Sequence, residues 1–204
     1  SVSRLTLSSR TPDAERGWGL RDDTHHVTER MAEVGAPNWF SLGDRDLATC
    51  LYRREFLSEG GRLTDAQAQI TRGLGVRARV LPMCDETVRT KVLTDVGRRD
   101  LQEYLILDGG KPQVLGVELD GIAEAQPTAE VVNALRAADL IVIGPSNPVI
   151  SIGPILAVPG MREAIQASAA PVLAVSPYVG GRIVKGPTDR FMEALGRPTT
   201  AAGV

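Results

Sequence analysis

The chain has 204 residues, 43% hydrophobic and 24% charged, a composition that supports a packed core and excludes wholesale disorder. Its 23 Lys and Arg against 25 Asp and Glu leave a net charge of -2, so nothing draws the whole molecule to nucleic acid or an anionic membrane, and any cationic site must be local. Cys50 and Cys84 form neither a disulfide framework nor a metal-ligand spacing; with no apolar run of the roughly 20 residues that span a bilayer and no signal-peptide h-region at the start, the expected setting is the cytoplasm.

The length fits one domain, 1–204, and the pattern below sets a hairpin-containing subdomain at about 76–120. Residues 1–14 are polar and close on the turn Thr11-Pro12-Asp13. Trp18 stands between Gly17 and Gly19, where the backbone can turn tightly while the indole covers a core edge or a ligand. Val27, Met31 and Val34 predict a helix within 23–34, capped by Asp23 or Thr24 and stopped by Gly35. The adjacent His25 and His26 cannot serve one metal from regular helix positions.

Trp39 to Leu42 reads as a short strand and the segment through Leu47, Leu51, Phe56 and Leu57 as a helix. Asp44-Arg45-Asp46 therefore falls at a strand-to-helix junction. Carboxylates suit that end of a helix as caps, but a cation there is unfavourable unless it meets an anion or a ligand. A further helix is expected over 63–74, then a strand over 76–83. Two hairpin arms, 88–94 and 100–107, flank Asp95-Val96-Gly97-Arg98. The cations Arg89, Lys91, Arg98 and Arg99 lack the interleaved aromatics of a nucleic-acid surface and read as a solvated hairpin face. Another strand is expected over 114–119.

Residues 128–138 predict a helix feeding the apolar run Leu140 to Ile143, a pattern that suits a strand covered on both faces. The loop after it holds Gly144, Ser146, Asn147 and Ser151, which offer hydroxyls, one amide and backbone N–H groups with no bulky polar side chain among them. A helix from Met161 and a second apolar strand ending at Ser176 complete a strand, crossover helix, strand unit, so that Ser146 and Ser176 should border one crevice. Between Tyr178 and Gly186, Arg182 and Lys185 sit in a glycine-rich loop, with Lys185 a candidate phosphate contact. A short helix over 187–195 follows. No Ser-His-Asp set, GxSxG elbow or HExxH occurs, and the catalytic groups are not assigned.

Four stretches, GDRDLATC at 43–50, LPMCDETVRT at 81–90, GPSNPVISIGPILAVPGM at 144–161 and AVSPYVGGRIVKGP at 174–187, with ERGWG and Asp23-Thr24 upstream, resemble the 2-phospho-L-lactate transferase family of coenzyme F420 biosynthesis. The resemblance implies an α/β, Rossmann-like, mostly parallel sheet with flanking helices and a β-hairpin insertion, often in a homodimer. It also implies transfer of a phospholactyl or phosphoenolpyruvyl group from a guanosine diphosphate conjugate to the hydroxyl of the deazaflavin Fo, with GMP leaving and Mg2+ assisting. On these terms Arg45, Asp44, Asp46 and Trp18 face Fo, while Gly144, Ser146, Asn147, Ser151 and Ser176 face the nucleotide.

Three departures accompany the resemblance, one being that the family's far C-terminal part is not expected in this chain. Position 50 is Cys where the family usually has His, and the family's opening βαβ unit, with its phosphate loop and metal-holding acidic segment, has no counterpart, so no metal ligand is assigned. The alternative is a nucleotide-sugar-binding regulatory protein of the related fold, without catalysis, which shares SIGPILAVPG but lacks GDRDLAT.

Overall fold

The structure, a computed structural model, describes residues 19–183 and 186–204; Trp18 and Lys185 lie outside the described residues. The chain folds into two compact units that divide between Pro82 and Met83.

In the first unit the described elements are three helices, α1 (His26–Glu33), α2 (Asp44–Ser58) and α3 (Leu63–Gly73). α2 and α3 form a helical hairpin, reversed at Gly60, whose φ of 85° is a left-handed value that glycine adopts without a steric cost. Ala66 is fully buried, whereas α2 buries none of its residues completely, and Leu51, Tyr52 and Leu57 stay exposed. The strand expected at Trp39 to Leu42 does not form. The Leu42 carbonyl lies 3.1 Å from His25 Nδ1 instead of joining a ladder, and no other strand runs beside the segment among the described residues. Residues 76–83 are likewise irregular rather than a strand. An extended run with Pro82 near its end and no partner edge has no ladder to join.

Among its described residues the second unit mixes helices with three small sheets. β1 (Arg89–Thr94), β2 (Gly97–Asp100) and β3 (Val114–Asp120) form an antiparallel sheet in the order β2-β1-β3. The hairpin turn stands where Asp95 to Arg98 indicated, and three of its cations are paired: Lys91 with Asp100 at 2.5 Å, Arg98 with Glu118 at 3.0 Å and Asp120 at 2.5 Å, Arg99 with Asp108 at 3.2 Å.

The second arm ends early. After Asp100 the chain coils into a helical segment with a π-helical turn at Glu103–Leu107, because Leu101, Tyr104 and Leu105 repeat at spacings of three and four and pack inward. The Glu103 carboxylate also accepts the Asp100 N–H at 3.1 Å.

α4 (Ala129–Arg136) is capped by Thr128, whose hydroxyl accepts the Val131 N–H. It leads into β4 (Ile141–Ile143). From there the chain passes through a π-helical turn at Pro148–Ile152, α5 (Gly153–Ala157) and α6 (Met161–Gln166) to β5 (Val172–Ala174), which pairs parallel with β4 in the register Ile141 to Val172, Val142 to Leu173 and Ile143 to Ala174.

This is the expected βαβ crossover, and the chain is α/β. Its strands, however, are not covered on both faces within the described residues: Val142 is 52% and Leu173 53% exposed. A short ribbon, β6 (Tyr178–Val179) with β7 (Arg182–Ile183), and α7 (Thr188–Ala194) follow.

The larger core joins the antiparallel sheet to α7. Val92, Tyr104, Phe191 and Met192 are fully buried there, with Val149 at its border. Tyr104 and Phe191 meet edge to face at 5.7 Å and 72°, a contact worth about 0.5–1.5 kcal/mol beyond burial. The Tyr104 hydroxyl donates to the carbonyls of Gly110 at 3.0 Å and Pro112 at 3.2 Å, so the aromatic core residue also ties down the loop after its helix. A second cluster, around Cys84, Ala125, Val158 and Met161, seats the loop after α5 against α4 and α6. Burial there pushes the Cys84 thiol pKa up, which fits an inert packed cysteine rather than a reactive one.

Candidate functional site

The two predicted groups of site residues belong to different units, and each is built by its own local chemistry. In the first unit the Asp44-Arg45-Asp46 turn opens α2. Its carboxylate at Asp44 does not cap its own helix. Asp44 Oδ2 accepts the Thr24 hydroxyl at 2.6 Å and the His26 N–H at 3.1 Å, and Oδ1 accepts the Val27 N–H at 3.1 Å. Those two N–H groups open α1, which neither Asp23 nor Thr24 caps as expected.

The return bond comes from Asp23, whose Oδ1 accepts the Arg45 N–H at the start of α2 at 3.2 Å. The helices thus cap one another across the chain reversal, each aspartate serving the opposite N-terminus. The Thr24 hydroxyl, ahead of the backbone N–H groups, holds the Asp44 carboxyl below its ordinary pKa. Gly43 is required by the same exchange: a Cβ there would collide with the Asp23 carboxylate.

Arg45 is left out of this network. It is exposed, and among the described residues its guanidinium has neither a hydrogen bond nor an ion pair. A free cation beside the positive end of a helix is held there at an electrostatic cost, which an anionic ligand group would offset.

Arg45, Ala48, Thr49 and Tyr52 follow at helical spacing on one face of α2. Ala48, Thr49 and Tyr52 line an open groove of about 840 Å³ between α2 and α3, across which Tyr52 donates to Gln69 at 2.5 Å. Asp46 is half-buried in the first turn. Cys50, on the same helix, is half-buried and free.

In the second unit, pairing of β4 with β5 sets their carboxyl ends side by side, with the Val175 N–H bonded to the Ile143 carbonyl at 2.9 Å. Gly144 and Ser146 follow one strand and Ser176 the other. The structure brings these residues to one end of the parallel pair, as the βαβ reading requires. Gly144 is exposed with open space around it.

The Asn147 amide is not free, contrary to the expectation that the loop presents it together with several N–H groups. Its Oδ1 accepts the N–H of Val149 at 2.9 Å and of Ile150 at 3.1 Å, and its Nδ2 donates to Thr188 Oγ1 at 2.9 Å. The next two N–H groups, of Ser151 and Ile152, bond to the Asn147 carbonyl, and Pro148 has none. The amide and the helix start therefore satisfy one another, as a cap does.

What the loop presents is the exposed Ser146 hydroxyl and the half-buried Ser151 hydroxyl, neither with a partner among the described residues. Ser176 is half-buried, its hydroxyl accepting the Tyr178 N–H at 3.2 Å. Gly153 is forced by packing, since a Cβ would stand 2.8 Å from the Pro148 carbonyl oxygen. Thr188 had no signal in the sequence, because its partner is distant along the chain.

Among the described residues no three His, Cys, Asp or Glu side chains converge as a metal site. No helix among them is long and apolar enough to cross a membrane.

The family profile described as 2-phospho-L-lactate transferase CofD matches residues 15–203. The chain belongs to that family. It is 40% identical to the 2-phospho-L-lactate transferase of Methanosarcina mazei over 200 residues, covering 98% of this chain and 65% of that protein. With the phosphoenolpyruvate transferase of Kitasatospora aureofaciens it shares 43% identity over 199 residues, covering 93% of this chain and 61% of the relative. The chain thus spans under two thirds of the length of these relatives. A crystal structure of a UPF0052 family protein from Bacillus halodurans aligns with a TM-score of 0.47 at 28% identity, over 59% of this chain and 38% of that one.

Proposed function

We propose that the chain carries donor- and acceptor-binding surfaces of a transferase that moves a phospholactyl or phosphoenolpyruvyl group from a guanosine diphosphate conjugate to the hydroxyl of Fo, releasing GMP. The donor's nucleotide lies along the carboxyl ends of β4 and β5, against Gly144, Ser146, Ser151 and Ser176. The acceptor meets Arg45 on the exposed face of α2, with Asp46 beside it and Asp44 holding the turn in place. The observation that carries the reading is the parallel β4–β5 pair with its two serine-bearing loops at one end, in a chain of this family.

Transfer of such a group depends on positioning and on neutralising charge more than on a covalent protein intermediate. The residues assigned here bind and orient: the hydroxyls donate to phosphate or ribose oxygens, and the planar guanidinium of Arg45 engages an electronegative edge of the acceptor in two parallel bonds. The test combines calorimetric titration of the full protein with GDP and with Fo, and mass spectrometry of the product formed when Fo and each GDP-linked three-carbon acid are supplied together. Binding of GDP without turnover of either donor would favour a regulatory binding protein instead.

A further inference from the structure

We infer that Thr188 is a positioning residue for the donor loop: it fixes the rotation of the Asn147 amide, and through it the backbone course from Ser146 to Ser151. The inference rests on the reading of that loop as the nucleotide site.

The Asn147 amide has only one orientation that satisfies its neighbours. Two N–H groups, of Val149 and Ile150, point at one end of it, and only the carbonyl oxygen can accept both. The NH2 end must then face Thr188, whose Oγ1 accepts from it at 2.9 Å. Thr188 is 2% exposed and opens α7, which is fixed in the core by the fully buried Phe191 and Met192. Val149 enters the same core.

The loop is therefore gripped at two points, an apolar one at Val149 and a polar one at Asn147. Without the Thr188 acceptor the apolar grip persists but the amide can swing, taking with it the cap and the two residues that flank it in function, Ser146 before and Ser151 one helical turn after. Thr188 itself is buried, so its part is to hold Asn147 rather than to meet the nucleotide directly.

Two substitutions separate this hydrogen bond from simple packing. Thr188→Val keeps the shape and removes the acceptor; Thr188→Ser keeps the acceptor and removes a methyl group. In the full protein, Thr188→Val should weaken GDP binding by about tenfold, the equivalent of one lost hydrogen bond, and speed amide hydrogen exchange at Val149 and Ile150. Thr188→Ser should leave both readouts within about twofold of the parent, since it retains the acceptor.

A Thr188→Val protein that binds GDP like the parent would overturn the inference, as would a Thr188→Ser protein equally impaired, which would mean that the methyl group and not the hydroxyl matters. Should the parent itself bind no GDP, the donor-site reading falls. Exchange at Val149 and Ile150 then still decides whether Thr188 holds the amide, and unchanged exchange in Thr188→Val refutes that too.

Discussion

Asn147 performs a structural task inside the proposed donor site, and two replacements pull the structural part from the functional one. Asn147→Ala removes the acceptor of the Val149 and Ile150 N–H groups and strands the 2% exposed Thr188 hydroxyl. Loss of such a cap costs about 1–2 kcal/mol, and the stranded buried partner adds about 1 kcal/mol. The sum of about 2–3 kcal/mol corresponds to a fall of roughly 5–10 °C in melting temperature for a protein of this size.

Asn147→Asp should behave differently. A carboxylate caps a helix as well as an amide does, and the Thr188 hydroxyl can reverse from acceptor to donor, so stability should stay within about 0.5 kcal/mol of the parent. The new charge, however, would stand between Ser146 and Ser151 in the proposed donor site, close to the phosphates although its own oxygens serve the cap and Thr188. At about 6 Å and an effective dielectric of about 40, each phosphate charge is repelled by about 1.4 kcal/mol, or roughly tenfold in affinity.

Differential scanning calorimetry and titration with GDP and with guanosine read the two effects apart, because the uncharged nucleoside should lose little. An Asn147→Ala protein that melts with the parent would refute the capping argument; an Asn147→Asp protein that binds GDP undiminished would refute the placement of the phosphates.

Three other outcomes follow from the same geometry. Arg45→Ala should leave the melting temperature unchanged, since the guanidinium has no partner among the described residues, while Fo affinity measured by titration falls; unaltered affinity would remove Arg45 from the acceptor surface. The Asp44 carboxyl titrates below its ordinary value of 3.8, so its contribution to stability is complete above that value and is lost as pH falls through the lower folded pKa. Acid unfolding of Asp44→Asn followed by circular dichroism should accordingly show a flatter limb below about pH 4, and an identical limb would mean that the mutual capping contributes nothing. Gly121→Ala puts a Cβ against the Thr87 carbonyl oxygen at a φ of 78°, which should cost at least about 2 kcal/mol in a denaturant titration.

The helices were legible in the sequence because each carries its own period and stop. Those at 23–34, 63–74, 128–138 and 187–195 form within a few residues of their expected ends. Strands were legible only where a partner lies nearby in the chain or the crossover is regular, as in the hairpin and the β4–β5 unit. Trp39 to Leu42 and residues 76–83 have the composition of strands, but a strand exists only by pairing, and composition does not supply the neighbour. Over 101–107 the strand reading failed to a competing period, the three- and four-residue spacing of Leu101, Tyr104 and Leu105. The apolar run at 140–143 correctly gave a parallel strand; its burial depends on what lies over Val142 and Leu173, which local sequence does not encode.

At the candidate site the residue types were legible and their division of labour was not. Asp44, Arg45 and Asp46 look alike as a charged triplet at a helix start, yet Asp44 commits both oxygens to the neighbouring helix while the Arg45 guanidinium meets no partner among the described residues. The difference arises from Asp23 and Thr24, which stand about 20 residues earlier and meet Asp44 and Arg45 only once the chain has reversed. Asn147 repeats the lesson. Followed by Pro148, it could have been read as a cap from the sequence, since Asn before a proline that opens a helix is a start signal. Its second partner, Thr188, is 41 residues away. Chemistry that a loop offers in sequence is therefore what remains after its own folding has been satisfied, and among the described residues that remainder is the Ser146 and Ser151 hydroxyls and the Arg45 guanidinium.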